Sequence, residues 1–199
     1  CVTKQHSPAP LRLPGNIRLV GLTVCGVDDH PTNRQLLAQY FQDWCMTGSL
    51  AATPSDALTL LRQAAHQGKP MDLAIVDMDM PEMNGLQLAR TIKADPTIAA
   101  VRLVLLTSLG RRGDAQAAHE AGFIGYLTKP IRKDQLQACL ETVMGYEPLD
   151  PTVVPRPLIT SHHLQEWRRQ KAARILVADD HHVNQQLAVL LVERLGHRA

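Results

Sequence analysis

Apolar residues gather in short runs along this chain, at Leu19–Val27, Ser49–Ala52, Leu73–Val76, Val101–Leu106 and Phe123–Leu127. Most of the runs are nearly continuous rather than alternating, the pattern of strands buried on both faces of a parallel sheet. Ser49–Ala52 is the weakest of the set. Between the runs the period becomes helical. Pro31–Cys45 puts Leu36, Leu37, Tyr40, Phe41 and Trp44 on one stripe, and Pro54–Gln67 does the same with Ala57, Leu58, Leu61 and Ala65. Asn84–Ala94 repeats the theme with Leu86, Leu88, Ala89 and Ile92, and Asp114–Ala121 is a short segment of mostly Ala. Lys133–Met144 places Leu136, Ala138, Leu140 and Val143 inward. Pro opens several of these segments, and Gly68, Gly122 and Gly145 close others, the usual punctuation of helices. Five strands alternating with five helices over about 125 residues predict an α/β fold with a doubly wound, five-stranded parallel sheet. Ligands of such sheets sit at the carboxyl ends of the strands.

Outside that region the period fails. Residues 1–16, with Pro8, Pro10 and Pro14, read as a linker, and 17–146 as the folded domain. Residues 147–173 read as a semi-rigid interdomain spacer, with Pro148, Pro151, Pro155 and Pro157 close together and a short polar helix expected at Ser161–Lys171. An internal repeat follows. VDDHPTNRQL at Val27–Leu36 is echoed by ADDHHVNQQL at Ala178–Leu187, at an offset of 151 residues. Residues 174–199 therefore read as the first strand and helix of a second domain, with the strand at Arg174–Ala178 and the helix near Val183–Leu195. Such a piece cannot bury its own apolar face, so it is expected to be disordered or to pack on another surface. The chain opens on Cys1 rather than Met, which reads as a piece of a longer protein.

Composition narrows the class. Of 199 residues, 45% are hydrophobic and 20% charged, with a formal net charge of +2. That balance announces neither a nucleic-acid binder nor a membrane-surface protein, and no apolar run reaches the roughly 18 residues of a membrane span. Cys1, Cys25, Cys45 and Cys139 are widely spaced, which argues against a zinc site or disulfide framework and fits a reducing, cytosolic compartment.

The candidate chemistry lies at strand ends. Asp28 and Asp29 follow the first strand, Asp77 the third, Thr107 the fourth and Lys129 the fifth. A parallel sheet brings these ends to one edge. Three carboxylates there repel one another unless a cation joins them, and hard oxygen ligands suit Mg2+. A nearby ammonium and hydroxyl would hold the oxygens of an anion. The set fits a phosphoryl group beside a metal, with a carboxylate as the attacking group and an aspartyl phosphate as product.

These residues resemble a known family. Asp28-Asp29, the segment DMDMPEMNG at Asp77–Gly85, Thr107-Ser108 and Tyr126-Leu127-Thr128-Lys129-Pro130 together are similar to a response-regulator receiver domain, over Leu19 to about Gly145. The resemblance implies the flavodoxin-like receiver fold, Asp77 as phosphoacceptor, and Mg2+ held by Asp29, Asp77 and the backbone carbonyl of Asp79, with Asp28 assisting through water. It implies that Thr107 and Lys129 grip the phosphoryl oxygens, that Tyr126 switches rotamer with Thr107, and that the Lys129–Pro130 bond is cis. Asn33 and Asn184, each after an acidic pair, and the stretch PLITSHHLQEWRR at Pro157–Arg169 resemble the tandem receivers of hybrid sensor histidine kinases. The implied partners are a histidine kinase core or histidine phosphotransfer domain, met near His30, Pro31 and Arg34, with a possible contact to the second receiver. The implied output surface is Arg112–Met144, and the implied parent is a kinase, itself membrane-anchored or not, whose receivers lie in the cytoplasm.

Two departures from the family pattern stand out. Gly26 occupies a position usually β-branched and is expected to loosen that strand end. Asp79 adds a carboxylate near the acceptor. A competing reading is a haloacid-dehalogenase-like phosphohydrolase using Asp77 and Asp79 as a DxD pair. In those enzymes, however, the nucleophile strand comes first and the acidic pair last. A third reading, a degenerate receiver that only binds, conflicts with the complete set of phosphorylation residues. Met78, Met80 and Met83 read as packing, and the pairs His162-His163, His181-His182 and Arg111-Arg112 as solvated residues.

Overall fold

The computed structural model describes residues 19–108, 113–145, 158–160 and 175–194. Strands β1 (Thr23–Val27), β2 (Thr47–Ala51), β3 (Leu73–Asp77), β4 (Arg102–Thr107) and β5 (Gly125–Thr128) alternate with helices α1 (Pro31–Asp43), α2 (Pro54–His66), α3 (Gly85–Ala94), α4 (Asp114–Glu120) and α5 (Lys133–Gly145). All strand pairs are parallel, in the order β2-β1-β3-β4-β5, and a sixth strand, β6 (Ile159–Thr160), lies beyond β5. The expected sheet is thus extended from five strands to six. The extra strand comes from the stretch read as a spacer. Two residues are too short to show a period, and the prolines before them mask the apolar pair Leu158-Ile159.

The sheet carries a core on each face because every residue of β3 is buried, and β1 and β4 are buried after their first residue. On one face, Ala57, Leu58 and Leu61 of α2, Leu88, Ala89 and Ile92 of α3 and Ala118 of α4 pack on Cys25, Val76, Leu103 and Leu105. On the other, Leu37 and Phe41 of α1 and Leu136, Cys139, Leu140 and Val143 of α5 pack on Val24, Ile75, Val104 and Leu106. Leu36, placed on the buried stripe by sequence, is 39% exposed. Gly26 also differs from expectation. A Cβ there would lie 2.8 Å from Leu50 and 3.3 Å from Leu37, so the glycine admits large neighbours rather than loosening the strand. Gly48 admits the Phe41 ring in the same way, 2.3 Å from where a Cβ would stand.

Local signals set the helix starts. Thr53 caps α2, its hydroxyl oxygen accepting from the Asp56 N–H at 3.1 Å. Asn84 and Gln87 form a reciprocal capping box at the head of α3, with bonds of 2.9 and 3.0 Å. At the other end of α3, Asp95 accepts from the Thr97 hydroxyl at 2.7 Å and from Arg62 at 2.8 Å. The Thr97 hydroxyl, first, and then Arg62 hold its carboxyl down at about 2. A depressed folded-state value means stability that is present above the ordinary value of 3.8 and lost as pH falls toward the folded one. Asp95→Asn is therefore expected to lower the urea midpoint near neutral pH. The gap to wild type should close as the pH is taken below about 4. A gap that stays constant with pH would show that the charge contributes nothing.

Cys25 and Cys139 lie fully buried in the two cores, and burial pushes both thiols up to about 12. Cys45 is exposed. In native protein, iodoacetamide is expected to modify Cys45 while sparing Cys25 and Cys139 until denaturant is added, as read by peptide mass. Native labelling at Cys25 or Cys139 would contradict this packing.

The second copy of the repeat has its own structure. A helix, α6 (His182–Arg194), forms where one was expected, but residues 175–179 pair with no strand. A strand requires a bonded neighbour, and among the described residues none lies beside 175–179; the first domain's sheet ends at β2 on one side and β6 on the other. Nor is the piece packed away. Leu176 is 92% exposed, and Val183, Leu187, Leu190 and Leu191 are each more than half exposed. The expected helix at Ser161–Lys171, the pair His162-His163 and the pair Arg111-Arg112 lie outside the described residues. Among the described residues, no helix is long and apolar enough to cross a membrane.

Candidate functional site

The acidic edge forms where the strand order turns, between β1 and β3. This is the switch point at which an open parallel sheet leaves a crevice. Asp28 and Asp29 leave β1 there, and Asp77 ends β3 alongside. Asp28, Asp77 and Thr107 are buried, whereas Asp29 is exposed. One carboxylate oxygen from each of Asp28, Asp29 and Asp77 lies within 4.8 Å of the others.

Lys129 reaches into this cluster from the end of β5. Its Nζ lies 2.9 Å from Asp77 Oδ1 and 3.1 Å from Asp28 Oδ2. The Lys129–Pro130 peptide before α5 is cis. The contact with Asp77 Oδ1 pairs an ammonium with a buried carboxylate oxygen. Burial raises the Asp77 carboxyl and the Asp28 charge adds to that. Lys129 and the backbone N–H of Asp79 oppose the rise without cancelling it. Burial alone pulls the Lys129 ammonium down, but Asp77 and Asp28 together outweigh it and the net shift is upward. The site thus holds one cation for three acids and has room in its electrostatics for a second.

Neighbouring groups fix the acidic loop. Asn33 Nδ2 donates to both Asp28 oxygens, at 3.0 and 2.9 Å, and the His30 N–H donates to Asp28 Oδ1 at 2.9 Å. Arg34 Nη1 donates to the backbone carbonyls of Asp28 and Asp29, at 2.7 and 2.8 Å. Sequence reasoning marked Asn33 only as a family feature and Arg34 only as a partner contact. For Asn33 the signal was present, because the repeat keeps Asn at the matching place, Asn184; Arg34 is matched by Gln185, a different donor, and carried no such signal. In the repeat, the His181 N–H and Asn184 donate to Asp179 Oδ1, at 2.8 and 3.2 Å, and Gln185 Nε2 donates to the Asp179 carbonyl at 2.6 Å.

Gly85 is a second residue whose role the sequence did not disclose. A Cβ there would lie 2.6 Å from the Asp77 carbonyl oxygen and 3.1 Å from Met78 Cα. The head of α3 therefore sits directly on the backbone of the candidate acceptor, with the Gly85 N–H donating to the Met78 carbonyl at 3.0 Å.

The remaining expected residues divide. Thr107, at the end of β4, stands with the cluster's strand ends. Tyr126 lies on β5 opposite Leu105, 7% exposed, with its hydroxyl buried. Burial, then the charge of Asp114, raises its hydroxyl against the effect of nearby Thr107. The Asp79 side chain is exposed and stands outside the acidic trio, so the DxD pair of a phosphohydrolase is not assembled among the described residues. His181 and His182 are exposed and belong to no metal-ligand cluster of described residues.

Comparison with known proteins agrees with this geometry. The response regulator receiver domain pattern matches residues 24–141. The chain belongs to that family. This receiver is 29% identical over 189 residues to the cyclic di-GMP phosphodiesterase response regulator RpfG of Xanthomonas campestris, across 90% of the chain and 48% of the relative. It is 26% identical over 148 residues to the signal transduction histidine-protein kinase BarA of Escherichia coli, across 74% of the chain and 15% of the kinase. The chain thus spans about half the length of RpfG and a small part of BarA. Among solved structures, the chemotaxis protein CheY4 of Vibrio cholerae superposes with a TM-score of 0.56 at 26% identity, covering 62% of this chain and 99% of CheY4. The six-stranded sheet is therefore a CheY-like receiver fold, and the chain is a two-component phosphoacceptor module by family.

Proposed function

We propose that Asp77 accepts a phosphoryl group from a phosphohistidine, and that the acidic edge holds Mg2+ while it does so. The observation that carries this reading is the buried Asp77 carboxylate, gathered with those of Asp28 and Asp29 within 4.8 Å and 2.9 Å from the Lys129 ammonium. Asp29 and Asp77 are the residues to hold the metal, with the Asp79 carbonyl, and Asp28 assists through water. The donor set fits, since hard carboxylate oxygens from separate segments are what Mg2+ prefers. Bound there, the ion offsets charge on the phosphoryl oxygens.

The residues of the chain perform the rest. The carboxylate of Asp77 forms the new O–P bond as the donor's N–P bond breaks, and the departing imidazole keeps the electron pair and takes a proton from water. Lys129 moves its charge from Asp77 toward the phosphoryl oxygens, and Thr107 donates to another of them. Asn33 and Arg34 keep the Asp28-Asp29 loop in position. A repacking of Tyr126 toward Thr107 then reports the change on the surface built from α4, β5 and α5. The donor is a histidine kinase core or a histidine phosphotransfer domain docking beside α1, near His30, Pro31 and Arg34. Residues 1–16 and 147–173 act as tethers around the receiver at 17–146, and 174–199 opens a second one. A cytoplasmic setting fits its buried, reduced thiols.

The test is incubation with acetyl phosphate and Mg2+, read by intact mass. A gain of one phosphoryl group that disappears when EDTA replaces Mg2+ is the expected result. No gain, or an equal gain in EDTA, would overturn the reading.

A further inference from the structure

We propose that the edge of β5 is a docking surface for the chain's own tether, and that phosphorylation of Asp77 releases it. The inference rests on the reading of Asp77 as phosphoacceptor. Its own evidence is β6. Residues 158–160 run parallel to β5, with Gly125 opposite Ile159 and Tyr126 opposite Thr160. The Ile159 N–H donates to the Ile124 carbonyl at 2.8 Å. An edge strand offers a row of unpaired backbone groups, and an extended segment that supplies their partners is a common docking mode.

The side chains add to the backbone bonds on both faces. Ile159 is 2% exposed, in the core formed with α5. Leu158 packs against the opposite core, the one containing Tyr126, Ala118 and Phe123. The tether therefore clasps the sheet edge with one apolar residue on each side. It does so beside Tyr126, which is paired with Thr160 and buried in the core that Leu158 joins. Tyr126 and Leu158 share that core, so the packing of the one is part of the packing of the other. A movement of Tyr126 toward Thr107 reshapes the core against which Leu158 packs, beside the Tyr126–Thr160 pair. The state of the site is thereby coupled to the stretch that leads toward the second copy of the repeat.

Hydrogen exchange of the full chain tests this, with the peptide containing Ile159 followed before and after acetyl phosphate and Mg2+ treatment and intact mass recorded in parallel. The expected result is that Ile159 is protected in untreated protein and exchanges at least about tenfold faster once one phosphoryl group is present. Phosphorylated protein with unchanged or greater protection would overturn the coupling and leave the phosphoacceptor reading standing. Absence of phosphorylation would overturn both. Protection that falls on dilution would assign the docked strand to a second copy and overturn the intramolecular assignment. A second arm uses L158D/I159D. It is expected to lose Ile159 protection in both states and still gain the phosphoryl group, because neither residue touches the acidic edge.

Discussion

Replacing Asp77 with Asn is expected to abolish the phosphoryl gain from acetyl phosphate and, in EDTA, to raise the melting temperature. The first effect follows from removing the nucleophile, since an amide is far too weak a base to attack phosphorus. The second follows from burial. Asp77 is 3% exposed and its carboxyl is raised above the ordinary value of 3.8, by burial first and the Asp28 charge next. A raised acid stabilises the fold below its ordinary value, and that contribution is lost as pH rises through the folded-state value. At neutral pH the ionised Asp77 is therefore a burden on the fold, which Lys129 lightens but does not remove. Asn keeps the shape without the charge, and Lys129 retains Asp28 at 3.1 Å. Mg2+ is expected to raise the melting temperature of wild type much more than that of Asp77→Asn, because one of three clustered carboxylates is gone. Thermal melts of both proteins in EDTA and in Mg2+ decide the matter. Equal metal responses would show that Asp77 is no ligand, and phosphorylation of the variant would place the acceptor elsewhere.

Gly85→Ala is expected to cost about 1–3 kcal/mol of stability, the usual range for overpacking a core position. It should also slow the phosphoryl gain severely. The added methyl has nowhere to go. Its nearest neighbours are the Asp77 carbonyl oxygen at 2.6 Å and Met78 Cα at 3.1 Å, backbone atoms at the end of a strand bonded on both sides, with the Leu105 side chain at 3.0 Å. Either α3 lifts away, breaking the Gly85 to Met78 bond, or the end of β3 shifts and carries the Asp77 carboxyl with it. Gly48→Ala provides the comparison. The three atoms nearest its Cβ all belong to the Phe41 side chain, a flexible neighbour rather than the backbone of the acceptor. Urea unfolding and phosphorylation kinetics of both variants should show two destabilised proteins, of which only Gly85→Ala loses phosphorylation out of proportion to its folded fraction. Parallel losses in the two would mean that Gly85 acts through stability alone.

Much of this architecture is legible in the residues, and the exceptions have physical causes. β3 and β4 are found where continuous apolar runs predict them, because strands buried on both faces leave no other pattern. β1 begins at Thr23, not at Leu19, although Leu19 is buried. Gly21 adopts a left-handed conformation and the Leu22 N–H donates to the Leu19 carbonyl, so the start of that apolar run is a turn packed into the core. Apolar character reports burial, not strand. β6 has no period because it is two residues long, and it depends on an edge that sequence alone does not show to be vacant. At the site, Asp28, Asp29, Asp77, Thr107 and Lys129 were legible because a parallel sheet brings strand ends to one side. Gly85 and Arg34 were not. Their importance lies in what touches them, a carbonyl of another residue in each case, and carbonyls are the same at every position of a sequence.

The loop at Asp179 repeats the His N–H bond, one of the two Asn bonds and the bond to the first carbonyl of the loop at Asp28, although the residues before it are not strand. Most of the bonding of that bend is thus local in sequence, with the sheet serving as a mount rather than a mould. The costly part of building such a centre is then bringing up the third acid and the ammonium from afar.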